Sequence, residues 1–176
     1  MQQIRWLVVV AALLLAGSSC HRSAPQVPSN RPTPDKTKQE MLHYNQQRLE
    51  AEKALIEAYI DSTGDAFTAT DDGFWYCIDT SGKGDTIRGG QTVRYAYSLE
   101  LLNGTVCETT AGRQAAQLEV GRRQSAKGLD LAFRYLQQDT EARILLPSHL
   151  AFGIQGREGI DGWTPVLYRV KIIDIQ

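Results

Sequence analysis

No one sign of charge dominates this sequence. Its 19 Lys and Arg stand against 20 Asp and Glu, a formal net charge of -1, which leaves no electrostatic footprint for nucleic acid. It also lacks, at its apolar start, a run long enough to span a bilayer. Trp6 to Ala16 falls well short of the roughly 20 residues that a spanning helix needs. Histidine and cysteine are scarce, at three each. His21, His43 and His149 fall in separate segments, so no metal ligands are assigned and no cofactor is implied. The 15 glycines are too few for a collagen-like chain.

What is present is an ordinary globular composition, 42% hydrophobic and 22% charged over 176 residues, which suits one domain with extra segments. Arg5 gives a short positive start to the apolar run, as in a signal peptide. The run ends in Leu15-Ala16-Gly17-Ser18-Ser19-Cys20. Small residues before a single cysteine resemble a bacterial lipobox, although Gly17 departs from its commonest pattern. The resemblance implies a signal peptide over 1–19, cleavage before Cys20 and a lipid anchor on Cys20. The alternative is an ordinary secretory signal with an incidental cysteine. From Cys20 to residue 36, Pro25, Pro28, Pro32 and Pro34 among Ser, Asn and Gln describe a tether that cannot bury a core.

The spacing then predicts an amphipathic helix over 37–64. Leu42, Leu49, Ile56 and Ile60 keep helical period, with Leu55 and Tyr59 widening the stripe. Glu50, Glu52, Lys53 and Glu57 lie off it, and Gly64 is the stop. The helix either packs on its own domain or forms a homodimer arm. The pattern is short for a coiled coil, which needs three or four sustained heptads.

Residues 65–176 read as mostly β. A first strand is expected from Gly73 to Asp79. In the next, Val93, Tyr95, Tyr97, Leu99 and Leu101 alternate with polar or small residues, the pattern of a half-buried antiparallel strand. Asn103-Gly104 predicts a hairpin through a type I′ turn. Asn103-Gly104-Thr105 is also a glycosylation sequon, read here as turn chemistry. The return strand runs Thr105 to Thr110, and Ala116, Leu118 and Val120 alternate in another. Ser125 is positioned to cap a short helix with Leu129, Ala132, Phe133 and Leu136 as its core stripe. Gly128 inside that helix points to a neighbouring backbone that comes close. Ala142 to Leu146 reads as a buried strand that Pro147 must stop, since proline has no N–H for a ladder. Leu150-Ala151-Phe152-Gly153 makes an apolar corner. Gly156, Gly159 and Gly162 follow in an open flap, and Val166 to Ile175 closes the chain as a long strand. The class is α+β, a curved antiparallel sheet wrapped over one short helix, and the corner and flap give it a concave apolar site.

This order of parts resembles the FKBP-type peptidyl-prolyl isomerases over roughly residues 85–176, and more loosely from Gly73. The matching pieces are Val93–Leu99, Leu102-Asn103-Gly104-Thr105-Val106, Val120-Gly121, Gly128 with its helix, and the Pro147–Gly153 corner with its flap. The tether and helix before such a domain also resemble envelope lipoproteins of the Bacteroidetes, including gliding-associated ones. The family resemblance implies a catalyst of rotation about X-Pro bonds, with proline-containing polypeptides as partners and no metal or cofactor. It implies catalytic roles for Tyr97, Glu108, Phe152 and Tyr168, and substrate-binding roles for Cys107, Ser125, Ala126, Leu129 and Ile160. Phe152 stands where a tyrosine hydroxyl normally bonds the substrate carbonyl. Leu129, Ala116 and Cys107 replace aromatics, so the pocket should be wider than usual. A non-catalytic binding module or chaperone is the alternative. Cys77 and Cys107 would be either a disulfide or two thiols. The expected location is the cell envelope, lipid-anchored at the outer membrane and facing the periplasm.

Overall fold

The computed structural model describes residues 34–176. The signal segment, Cys20 and the tether through residue 33 lie outside the described residues. Helix α1 runs Pro34–Thr63, so the last three residues assigned to the tether open the helix instead. Proline suits a first helical turn, where its missing N–H has no partner to lose. The helix stops where expected. Gly64 takes φ +66° and donates its N–H to Ile60 O at 3.3 Å. The Ser62 and Thr63 hydroxyls donate to Tyr59 O and Ile60 O at 2.7 and 3.0 Å, which satisfies carbonyls left over at the helix end.

Seven strands follow: β1 Thr68–Ala69, β2 Trp75–Thr80, β3 Thr92–Leu101, β4 Val106–Thr109, β5 Ala116–Glu119, β6 Glu141–Leu146 and β7 Val166–Ile175. They form one antiparallel sheet in the order β1-β2-β6-β7-β3-β4. β5 pairs with the first residues of β3 and β4 with the last, so the two share one edge of β3 end to end. Register shifts opposite Arg94/Tyr95 and Leu99/Glu100 leave Ile173 of β7 and Cys107 of β4 as extra residues; such bulges bend the strands that carry them and help curve the sheet.

The hairpin after β3 forms at Asn103-Gly104, but not through a type I′ turn. Gly104 alone of the two has positive φ, +86°. It donates to Leu101 O at 2.9 Å, and Leu101 N donates to Thr105 O. The Asn103 side chain instead accepts from Thr105 N at 3.0 Å. That is the longer hairpin loop in which one left-handed glycine closes a turn.

The concave face packs on helix α2, Lys127–Ala132, which runs into a 3₁₀ turn, Phe133–Tyr135. Leu129, Ala132, Phe133 and Leu136 are all buried there, as their spacing predicts. Ser125 is not the cap. Ala126 holds the N-cap position, and no side chain caps the helix. Gly128 is needed for close packing, but against side chains rather than a backbone. A Cβ there would lie 2.5 Å from Leu146 Cδ2 and 3.0 Å from Leu150 Cβ.

Leu145 and Leu167 face the other side of the sheet, directly paired across β6 and β7. Ile56 of α1 covers them, with Tyr59, Ile60, Phe67, Trp75 and Leu102 around it. This second cover explains why Ile144–Leu146 of β6 and Val166–Tyr168 of β7 are apolar and buried without a break, whereas the rest of β7 alternates with exposed Arg169 and Lys171. The helix does not bury its whole stripe, however. Leu42, Leu49 and Leu55 are 52%, 43% and 59% exposed, whereas Glu52, placed off the stripe by its charge, is 3% exposed. Its carboxylate accepts from the Ser148 backbone N–H and from the Ser148 hydroxyl at 2.8 Å.

Removing that carboxylate should be costly, because it strands a buried N–H. Glu52→Ala should destabilise the fold by about 1–3 kcal/mol, with a smaller loss for Glu52→Gln, which keeps one acceptor oxygen. Urea unfolding monitored by circular dichroism checks this. An unchanged midpoint in Glu52→Ala would show that Ser148 does not depend on the carboxylate.

Candidate active site

The concave face opens into a cavity of about 360 Å³ between β3, β4, β7, the start of α2 and the flap. Alternation along β3 turns Tyr95 and Tyr97 inward, and β7 brings Tyr168 beside them. Ring centroids of Tyr95 and Tyr97 are 5.6 Å apart, and those of Tyr97 and Tyr168 are 5.8 Å apart. Phe133 backs Tyr95 edge-on at 4.8 Å. These spacings are those of tilted and edge-to-face aromatic pairs, and the tyrosines form a fixed aromatic wall in a cavity whose other lining, with Glu108, Gln117, Gln124, Ser125 and Arg157, is largely polar rather than the apolar site expected.

One polar chain crosses the mouth. The Tyr97 hydroxyl donates to Glu108 Oε1. Arg157 Nη2 donates to Glu108 Oε2 and its guanidinium carbon sits 4.5 Å from the Phe152 ring centroid, a cation–π distance. The chain links β3, β4 and the flap. It shifts the titration of its members. The Tyr97 hydroxyl, then the Arg157 guanidinium, hold Glu108 below the usual carboxylate range. Burial, then the Glu108 hydrogen bond, push Tyr97 well above the usual phenol value. Burial likewise raises Tyr168, and pushes Tyr95 up to about 12. All three tyrosines are therefore hydroxyl donors at neutral pH.

The structure brings Tyr97, Glu108, Ser125, Ala126, Phe152 and Tyr168 to the cavity surface. It does not bring Cys107, Leu129 or Ile160 there. Leu129 and Ile160 are buried in the core at 0% and 2% exposure, and Cys107 Sγ lies 3.7 Å from Gly159 O under the flap. Cys107 and Cys77 are both free thiols. β2 and β4 are four strand spacings apart in the sheet, about 19 Å, which no disulfide spans. Sequence reasoning missed two lining residues of consequence. Tyr95 shares the inward face of Tyr97 two residues on and was legible from that period. Arg157 was not, since nothing local says which way a flap residue points.

A larger depression, about 440 Å³, lies on the outer sheet face around Ala96 and Ser98. Its charged rim is paired internally, Lys171 with Glu141 at 2.7 Å and Arg169 with Glu100 at 3.1 Å. Tyr97 is the one aromatic residue along it, with no second ring to complete a wall for an apolar group, so size does not make it the site.

A family model described as FKBP-type peptidyl-prolyl cis-trans isomerase matches residues 83–173. The chain is 33% identical over 95 residues to FK506-binding protein 4 of Emericella nidulans, which is 54% of this chain and 20% of that one. It is 30% identical over 90 residues to peptidyl-prolyl cis-trans isomerase FKBP10 of Homo sapiens, covering 51% of this chain and 16% of that one. The chain thus spans about a fifth of the length of these curated relatives, or less. Among solved structures, a peptidyl-prolyl cis-trans isomerase from Pseudomonas syringae shares the fold with a TM-score of 0.64 and 20% identity, over 74% of this chain and 95% of that one. The N-terminal domain of FKBP42 from Arabidopsis thaliana gives 0.60 and 19%, over 64% and 93%.

The lowered Glu108 value fixes the sign of its pH dependence. The folded state holds the ionised form more tightly than the unfolded chain does, so the contribution is complete above the ordinary glutamate value. It is lost as pH falls through the lower folded value. A carbon-13 NMR titration should place Glu108 below about 4.3, the ordinary glutamate value, and Arg157→Ala should move it upward. Titration of Glu108 at or above that value in the unaltered protein would show that the polar chain does not hold in solution.

Proposed function

The chain belongs to the FKBP-type peptidyl-prolyl cis-trans isomerase family, and from that premise we propose that its cavity catalyses rotation about X-Pro bonds in polypeptides of the cell envelope, assisting their folding. The observation that carries the reading is the cavity itself, an aromatic wall of Tyr95, Tyr97 and Tyr168 facing Phe152 across a few polar groups.

The chemistry needs no nucleophile. Amide resonance sets a barrier of about 18–20 kcal/mol to rotation, and a catalyst has only to favour the twisted amide, in which that resonance is lost. An apolar wall that takes the proline ring removes water from the bond, and fixed polar groups orient its ends. Tyr97 does both. Its ring forms the centre of the wall, and its hydroxyl orients Glu108. Tyr168 extends the wall, and Ser125 and Ala126 line the side nearest α2.

A second reading, a binding module or chaperone without catalysis, draws on two observations. Leu129 and Ile160 sit in the core rather than at the cavity surface, and Phe152 carries no hydroxyl, so the ring would be held more loosely than in an all-aromatic pocket. The test is the cis-to-trans relaxation of a short Xaa-Pro peptide, which takes tens to hundreds of seconds uncatalysed. The purified protein should accelerate it, and Tyr97→Ala should lower that acceleration about tenfold with the fold retained. If the protein leaves the relaxation unchanged but still keeps an unfolded client from aggregating, the binding-module reading replaces the enzyme.

The location is part of the same proposal. Lipid on Cys20, with the tether behind it, would hold the domain off the outer membrane on its periplasmic side. Stable anchoring takes more than one acyl chain, which a lipidated amino-terminal cysteine supplies. Cys20→Ala should move the protein from the membrane to the soluble fraction on cell fractionation, and unchanged membrane partition would remove Cys20 as the anchor.

A further inference from the structure

Arg157 is the cation of the cavity, and the family pattern assigned it nothing. It sits on a tight turn of the flap. Its backbone N–H donates to Ile160 O and its carbonyl accepts from Ile160 N, both at 2.9 Å. Gly159 within the turn takes φ +78°, and Ile160 at the far end is buried in the core. The side chain is therefore carried on a pinned turn rather than on a free loop.

Its head is fixed as well. Glu108 takes one N–H, Tyr97 holds Glu108 from the other side, and the Phe152 ring lies 4.5 Å away. A guanidinium has five N–H donors, so one bond to Glu108 leaves others for the cavity that Arg157 lines. Phe152 offers an apolar seat without a hydroxyl that would compete for them.

We propose that Arg157 is a catalytic residue that donates an N–H to the prolyl nitrogen as the X-Pro bond twists. This rests on the isomerase reading above. In the planar amide the nitrogen lone pair is delocalised into the carbonyl, and the nitrogen is a poor acceptor. At the twisted geometry the lone pair returns to nitrogen, which then accepts a hydrogen bond. The interaction is made in the transition state and hardly at all in the ground state, the condition for raising kcat rather than only tightening binding. The donor is already in place and needs no reorganisation. No covalent bond forms or breaks, and the proton stays on Arg157 throughout.

The test compares the purified full chain with Arg157→Ala, Arg157→Gln and Arg157→Lys on a short Xaa-Pro peptide, resolving kcat from KM, with circular dichroism as the folding control. Arg157→Ala and Arg157→Gln should lower kcat and kcat/KM together by about tenfold or more, the scale of a hydrogen bond from a charged donor, with KM little changed. Arg157→Lys should restore part of the loss. Wild-type kcat in folded Arg157→Ala or Arg157→Gln, or a loss confined to a raised KM, overturns the assignment. An unaltered chain with no catalysis overturns the isomerase reading together with this inference, whereas an active chain indifferent to Arg157 overturns the inference alone.

Discussion

The Glu52 carboxylate on the Ser148 backbone and hydroxyl is the contact on which the site's geometry depends. β6 must end at Pro147, and the chain turns out of the sheet while still buried, so the next N–H needs an acceptor that neither a ladder nor water supplies. Glu52 provides it from outside the stretch that carries the family match. Ser148 is then the hub of the corner. Its carbonyl accepts from Ala151 N at 2.9 Å and from Gly153 N at 2.7 Å, which sets Phe152 between them. The flap returns where Trp163 N donates to Gly153 O at 3.0 Å. Trp163 holds φ +61°, an uncommon conformation for a bulky residue, and Tyr44 and Arg48 of α1 pack on its ring at 6.5 and 5.8 Å. Helix α1 thus fixes both ends of the segment that carries Phe152 and Arg157.

That rigidity matters because the chemistry is all positioning. Rotation about a peptide bond asks for an apolar seat and a few oriented dipoles, held so that they fit the twisted bond better than the planar one. The Tyr97–Glu108–Arg157 chain draws its members from β3, β4 and the flap, and each fixes the next. The charge on Glu108 is compensated within the chain, so the cavity mouth carries a bound ion pair rather than a lone carboxylate. A free carboxylate there would attract water into the space meant for the proline ring.

Much of the fold was legible because it is written in local period. Val93, Tyr95 and Leu99 alternate onto the core face of β3, Leu129, Ala132, Phe133 and Leu136 keep helical spacing, and all are buried. Pro147 stops β6 by its missing donor. What was misread depends on partners distant in sequence. The period of α1 marked Leu42, Leu49 and Leu55 as core, yet only its later turns meet the sheet, and charge hid Glu52, whose partner lies 96 residues away. Gly128 was read as making room for a backbone, when Leu146 and Leu150 fill the space. The Asn103-Gly104 turn was correctly placed but wrongly typed, because the Asn103 side chain bonds Thr105 and leaves glycine alone in the left-handed region. In the site, Tyr97 and Tyr168 follow from strand alternation, whereas Arg157 reaches Glu108 across 49 residues and no sequence spacing encodes that meeting.

The central claim is that the aromatic cavity, and not the larger depression on the outer sheet face, turns over X-Pro bonds. NMR exchange spectroscopy on an isotope-labelled Xaa-Pro peptide, recorded with the labelled protein, tests both halves at once. The account predicts cis–trans exchange cross-peaks that appear only when protein is added, with shift changes centred on Tyr95, Tyr97, Glu108, Arg157 and Tyr168. Absence of exchange peaks, with shift changes centred instead on Ala96, Ser98 and Lys171, would contradict it.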